Sequence, residues 1–210
     1  MISETETLLR EIFAKDAGFI EGHILKASLF AAQGVHLTLA GRRAGELQRV
    51  GEKLADEHGC SALAVPCDVR DRQQVQALAD AAEARYGRID LLLFATGINI
   101  KERLLGRLTP DHWDNLIATN LNGAFYTTYS VLPVMRRQNE GRIIQISSLL
   151  GIVCMGYRGA YNASKFALEA LSDTMRLELR GTNIHIALVE PGPITSRFRD
   201  NAFQAYKAHI

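Results

Sequence analysis

Residues 142–190 read RIIQISSLLGIVCMGYRGAYNASKFALEALSDTMRLELRGTNIHIALVE. Two apolar runs, RIIQIS (142–147) and NIHIALVE (183–190), flank a longer stretch at 157–180 that reads as a helix, so the segment predicts strand, helix, strand. The same alternation extends towards the N-terminus. IDLLLFA at 89–95 is a buried strand preceded by a helix near 71–86, and a strand near 61–66 follows a helix near 44–57. VHLTLA at 35–40 is a further strand, with a helix near 23–33 before it. Thr109-Pro110-Asp111 marks a helix start, with a hydroxyl cap, proline at the first helical position and acid in the first turn. That helix is expected to run to about residue 137, kinked at Pro133. Alternating strands and helices imply an α/β fold, a parallel sheet covered by helices. No linker or internal repeat interrupts it, so the 210 residues are expected to form one domain.

Composition excludes several functions. Lysine plus arginine (24) almost cancels aspartate plus glutamate (23), and no basic patch with interleaved aromatics is visible, which argues against nucleic acid as a partner. The most apolar stretch, 143–155, is interrupted by Gln145, Ser147, Ser148 and Gly151, so no membrane span is expected. The N-terminal stretch lacks the apolar core of a secretion signal. Cys60, Cys67 and Cys154 form no CxxC pair, and the six histidines lack metal-ligand spacing. These features predict a reduced, cytoplasmic protein without a metal.

In a parallel α/β sheet ligands bind beyond the carboxyl ends of the strands. The candidate positions are therefore Gly41-Arg42-Arg43, Cys67-Asp68-Val69, Ala95-Thr96-Gly97, Ser147-Ser148 and Pro191-Gly192. Tyr161 and Lys165, four apart on a predicted helix, project from one face. A nearby ammonium favours the ionised form of a phenol whose ordinary pKa is about 10, making it a usable proton donor and acceptor. The pair alone also fits a solvated or packing role, since both residues are common on helices. Ser148 closes the strand RIIQIS, where its hydroxyl either polarises a carbonyl or caps the following turn. Asn120 sits inside a predicted helix despite its low propensity, which points to a polar task in the interior or to simple exposure.

Taken together, NLNG (120–123), IQISSLLG (144–151), YNASK (161–165) and PGPITS (191–196) resemble the short-chain dehydrogenase/reductase family in order and spacing, over about Ala27 to Phe203. The resemblance implies a Rossmann-like doubly wound parallel sheet, with residues 25–203 as its core and 1–24 atypical. It also implies an oxidoreductase that moves hydride between a nicotinamide cofactor and a carbonyl or alcohol. Tyr161 would be the general acid/base, Lys165 would lower its pKa and hold the nicotinamide ribose, Ser148 would position the carbonyl, and Asn120 would support a water chain to Lys165. Asp68 and Val69 resemble the adenine-pocket pair. Phe94, Ala95 and Gly97 stand at the turn after the fourth strand, and Pro191, Gly192 and Ile194 resemble the segment beneath the nicotinamide. An acid after the second strand selects NAD, whereas arginine there accommodates the 2′-phosphate of NADP. Arg42 and Arg43 occupy that place, so NADP is expected over NAD. A homodimer or homotetramer is the family's usual assembly, with Tyr126, Tyr129, Phe166 and Leu171 as candidate contributors.

Four stretches depart from the family, one of them the turn Phe94-Ala95-Thr96-Gly97, which stands where the family has NNAG. Its T-G-x-x-x-G-x-G phosphate loop is replaced by Asp16-Ala17-Gly18-Phe19-Ile20-Glu21-Gly22-His23-Ile24, where only Gly18 and Gly22 match and two acids face the place of a phosphate. The residues before it give only Ile12-Phe13-Ala14 as an apolar core, so a normal first strand is not expected. TSRFRDNAFQAYKAHI ends the sequence without the strand that usually closes the sheet. The expectation for residues 1–24 is poor cofactor affinity, and the alternative function is that of a catalytically impaired relative acting as a packing or oligomerisation module.

Overall fold

The strand β4 (Gly141–Ile146) lies between β3 (Leu91–Phe94) and β5 (Ile184–Val189), parallel to both. The register pairs Ile143 with Leu92 on one side and with Ile186 on the other. Such a strand has apolar neighbours along both edges, which is why Ile143 and Ile144 are almost fully buried. A second parallel pair joins β1 (Leu37–Gly41) to β2 (Ala62–Pro66). These assignments come from a computed structural model, which describes residues 27–28 and 30–192. The sequence expectations for a first strand, the phosphate loop at 16–24, Ile194 and the C-terminal segment lie outside the described residues.

The described residues divide into two compact units, one ending at Pro66 and the other spanning Cys67–Gly192. In the first, α1 (Ala44–His58) packs on β1 and β2 through Gly51 and Leu54. Leu54, Ala31 and Cys60 form a small core there with Leu37 and Leu39. Helix α1 stops at Gly59, whose left-handed φ of 66° lets its N–H return to the Ala55 carbonyl.

In the second unit, α2 (Arg72–Tyr86) begins where the Asp71 carboxylate accepts hydrogen bonds from the Gln73 and Gln74 amides. Helix α3 (Pro110–Ile117) starts at Thr109, whose hydroxyl accepts from the His112 amide. A π turn over Ala118–Asn122 follows, and α4 (Gly123–Gln138) continues from it. The predicted single helix is therefore divided by a wide turn at Asn120. After β4 come a short 3-10 turn (Leu149–Gly151) and α5 (Gly159–Glu178). Helix α4 packs on β3 and β4, and α5 on β5. Met135, Ile143, Met175, Ile184 and Ile186 fill the space between these elements. Predicted and observed strands agree to within a residue or two because each apolar run is bounded by a residue that ends it. Asn139 and Gly181, both at positive φ, are two such residues.

Gly123 shows how tightly the second unit is closed. A β-carbon there would stand 2.9 Å from Val69 Cγ2 and 3.1 Å from Val69 Cβ, too close for either chain to stay in place. Gly123→Ala should lower stability by about 1–3 kcal/mol through overpacking, visible as a reduced midpoint of thermal unfolding. Gly45→Ala in α1, which would meet nothing within 4 Å, should cost no stability. Equal midpoints for the two variants would contradict this packing.

Candidate active site

The carboxyl ends of β3 and β4 open onto one place in the second unit. After β3 the chain passes through Gly97 and Ile98, where the side chain of Asn120 meets it. The Asn120 amide donates to the Ile98 carbonyl at 3.0 Å, and its oxygen accepts from the Ile98 N–H at 2.8 Å. The π turn delivers this side chain inward, and Asn120 is fully buried. Of the two readings open at the sequence level, the interior polar task is the one the structure shows.

Asn120 also donates to Ser164 Oγ at 3.3 Å, on the turn of α5 that carries Tyr161 and Lys165. Lys165 is 3% exposed, and its ammonium donates to the Ile146 carbonyl at the end of β4 over 2.7 Å. A β-carbon added to Gly97 would lie 3.7 Å from Asn120 Oδ1 and 3.8 Å from Lys165 Nζ. The main chain after β3, the amide and the ammonium thus converge around one point. Burial pushes the Lys165 pKa down to about 8, partly offset by the nearby Glu169 carboxylate.

The Lys165 Nζ stands 5.7 Å from the centre of the Tyr161 ring. Burial raises the phenol's pKa, while hydrogen bonding with Ser148 and the positive charge of Arg158 pull it down. The downward pull in this structure therefore comes from Ser148 and Arg158, whereas the sequence pointed to Lys165. The phenol stays protonated at neutral pH. For Ser148 the structure shows the turn-capping reading. Its oxygen accepts from the Leu150 amide at 3.1 Å, capping the 3-10 turn, and its hydroxyl also bonds with the Tyr161 phenol.

Other expected residues fall in varied settings. The Asp68 carboxylate holds Arg70 at 2.6 Å, and Arg70 also donates to Asn115 Oδ1 at 2.8 Å. Val69 packs against Phe94, whose side chain is buried with Ala124 and Leu168. The Pro191 carbonyl accepts from the Leu149 amide at 3.1 Å, bringing the end of β5 beside the Ser148 turn. In the first unit Arg42 and Arg43 follow β1 and are exposed. Arg43 pairs with Glu46 at 2.8 Å, an exposed surface contact of small worth. Ser164 and Ile98 were not picked out from the sequence. Ser164 carried a signal, since it lies between Tyr161 and Lys165 on the same helical face, whereas the Ile98 contribution is purely main-chain.

The donors gathered here suit a nicotinamide riboside and a carbonyl oxygen: an ammonium for hydroxyls, and a phenol and a serine hydroxyl for the carbonyl, with the Asn120 amide engaged by Ile98 and Ser164. No group of three or more metal-ligating side chains occurs among the described residues, and no described helix is long and apolar enough to cross a membrane.

Comparison with known proteins agrees with this arrangement. An uncharacterized oxidoreductase of Staphylococcus aureus is 29% identical over 80% of this chain and 71% of its own length. A metagenomic short-chain oxidoreductase solved with NADP superposes with a TM-score of 0.74 at 29% identity, covering 86% of this chain and 85% of the other. A short chain dehydrogenase/reductase from Burkholderia phymatum, solved with NAD, also gives 0.74 at 30% identity, over 84% and 62% of the two chains. The sequence model of the short chain dehydrogenases matches residues 25–207. With a Rossmann-like α/β fold and oxidoreductases among its relatives, the chain belongs to the short chain dehydrogenase family and is an enzyme of that type.

Proposed function

We propose that the protein is an NADP-dependent oxidoreductase acting on a small carbonyl or alcohol substrate through Asn120, Ser148, Tyr161 and Lys165. The observation that carries this reading is the buried ammonium of Lys165, one helical turn from Tyr161 and beside Asn120 and Gly97. Burying a lysine is costly, and a fold keeps one where its charge has a use. The nicotinamide, when bound, supplies or accepts the hydride. Tyr161 gives its proton to the carbonyl oxygen in reduction and takes one from the alcohol in oxidation. Ser148 donates to the same oxygen and so orients it. Lys165 holds ribose hydroxyls and stabilises the phenolate left after proton transfer. Asn120 fixes the chain at Ile98 against α5 and keeps the lysine's surroundings polar.

Preference for NADP rests on Arg42 and Arg43 standing where an acid would favour NAD. Relatives bind either cofactor, so a direct measurement decides. NADPH should bind more tightly than NADH, and the gap should narrow as salt rises, because the contact is between exposed charges. Fluorescence titrations at low and high salt check this. Equal affinities would remove NADP from the reading.

The sequence at 16–24 favours a second reading, that of an impaired relative retained for packing or assembly. Phe125, Tyr129 and Phe166 leave large apolar surface exposed on α4 and α5, which supports pairing of two copies under either reading. Leu171, also considered from the sequence, packs against the core of the second unit.

A further inference from the structure

Lys165 and Glu169 stand one helical turn apart on α5, so their side chains share a face. That face meets the end of β4 and the 3-10 turn after it, where the Lys165 ammonium donates to the Ile146 carbonyl, a neutral group. Glu169 brings a carboxylate into the same interior. Its Oε1 is closed to solvent and has no hydrogen-bond partner among the described residues. Gly151 makes the room for it: a β-carbon there would stand 2.9 Å from Glu169 Cγ, from Glu169 Oε1 and from Ser147 Oγ. The Ser147 hydroxyl, on the same side of Gly151, is likewise buried without a partner among the described residues.

Burying a carboxylate oxygen with no donor costs free energy, and a fold keeps such a group where its charge acts on a partner. The surroundings of Lys165 show which partner that is. On α5 its titratable neighbours are Glu169 and Tyr161. The end of β4 contributes the Ile146 carbonyl, the chain after β3 contributes Gly97, and the π turn contributes Asn120, none of them charged. Tyr161 also borders a narrow cleft lined in part by Arg103 and Arg158, and the Arg158 charge acts on the phenol. Glu169 is therefore the one carboxylate acting on the ammonium among the described residues. In an interior of low polarity such an attraction reaches past direct contact. Without it, burial alone would act on the lysine, whose pKa would fall below about 8 and leave much of the protein with a neutral amine beside Tyr161.

We infer that Glu169 is a positioning residue for the reaction: its carboxylate, admitted by the bare face of Gly151, is the counter-charge that keeps Lys165 an ammonium beside Tyr161. This rests on the reading of Lys165 as part of the site. No bond forms or breaks at Glu169. It acts through Lys165 alone and sets the upper end of the pH range in which the lysine carries its charge.

The test follows Lys165 by NMR in the full chain, labelled with carbon-13 at the lysine Cε and assigned by the resonance missing from Lys165→Met. In the parent it should titrate at about 8. Glu169→Gln keeps the shape and removes the charge, and its midpoint should fall by about one pH unit; Glu169→Asp should recover part of that fall. Thermal unfolding confirms that each variant is folded, and Glu169→Ala gives a second uncharged variant. Reduction of 4-nitrobenzaldehyde with NADPH, as kcat/KM against pH, reads the consequence. Lys165 works as the cation, so activity is full below its midpoint and lost above it. Glu169→Gln should lie within about twofold of the parent at pH 6 and about fivefold below it at pH 8. A midpoint that moves while even the parent reduces no aldehyde would uphold the counter-charge, and the hydride-transfer reading would fall instead. A midpoint unmoved in both uncharged variants would overturn the counter-charge and leave the reductase intact. A moved midpoint with parallel pH profiles, or activity lost equally at pH 6 and pH 8, would overturn the positioning role.

Discussion

Tyr161→Phe should lower carbonyl reduction by roughly 10²–10⁴-fold, the usual worth of a positioned general acid, while fold and cofactor affinity stay close to those of the parent. The substitution removes one hydroxyl and leaves the ring. Because burial raises the phenol's pKa, the group is protonated at neutral pH and ready to give its proton to a carbonyl oxygen. Oxidation of the alcohol needs the phenolate, so that direction should gain with rising pH. Steady-state rates in both directions, with the cofactor dissociation constant measured alongside, check the assignment. A phenylalanine variant that reduces carbonyls at the parental rate would remove Tyr161 from the chemistry.

Lys165→Met should abolish measurable turnover and weaken cofactor binding, since both the charge beside Tyr161 and the donor for ribose hydroxyls disappear. Its effect on stability has its own signature. Lysine ordinarily titrates at 10.5, and in the folded protein Lys165 titrates at about 8. Above 10.5 the amine is neutral in both states and burial carries no charge penalty. As pH falls from 10.5 the unfolded chain takes up the proton first, which favours unfolding, and the penalty is complete below about 8. Across that window the parent should gain about 3 kcal/mol relative to Lys165→Met as pH rises. Denaturant unfolding of both proteins at pH 7.5 and at pH 10.5 reads this difference directly; parallel curves at the two pH values would place the amine in water.

The fold was legible in the sequence wherever an apolar run was bounded by a residue that could not continue it. Thr109 and Pro110 marked the start of α3, and the runs that became β4 and β5 stood out by composition alone. The π turn was not legible. Nothing in Ala118-Thr119-Asn120-Leu121-Asn122 forbids an ordinary helix, and its widening becomes visible only through the contacts that Asn120 makes with Ile98 and Ser164. The candidate site was legible where side-chain chemistry is unusual for its place, as with an asparagine inside a helix and a tyrosine and lysine one turn apart. The cleft beside Tyr161 was only half visible. Arg158 could be seen at the end of a pocket-lining segment, but Arg103 lies 55 residues earlier on an irregular stretch, and no periodicity links the two. The electrostatic control of Tyr161 escaped for a similar reason, because burial depends on what packs over the ring.

The wide turn at Ala118–Asn122 also limits which changes in chain length this region can accept. It holds one residue more than a regular helical turn, so deleting any one of its five residues would let α3 and α4 run on as an uninterrupted helix. Local hydrogen bonding would improve. The phase would survive: four residues at about 100° each cover nearly the same rotation as the five of the wide turn, so everything after the deletion would keep its facing. Ala124, Thr128, Val131 and Met135 would stay turned inward, and what would be lost is the local bulge that carries the Asn120 amide to Ile98. The extra residue therefore serves the polar centre alone, and a lineage that shortened this turn would lose the place of Asn120 while keeping the packing of α4.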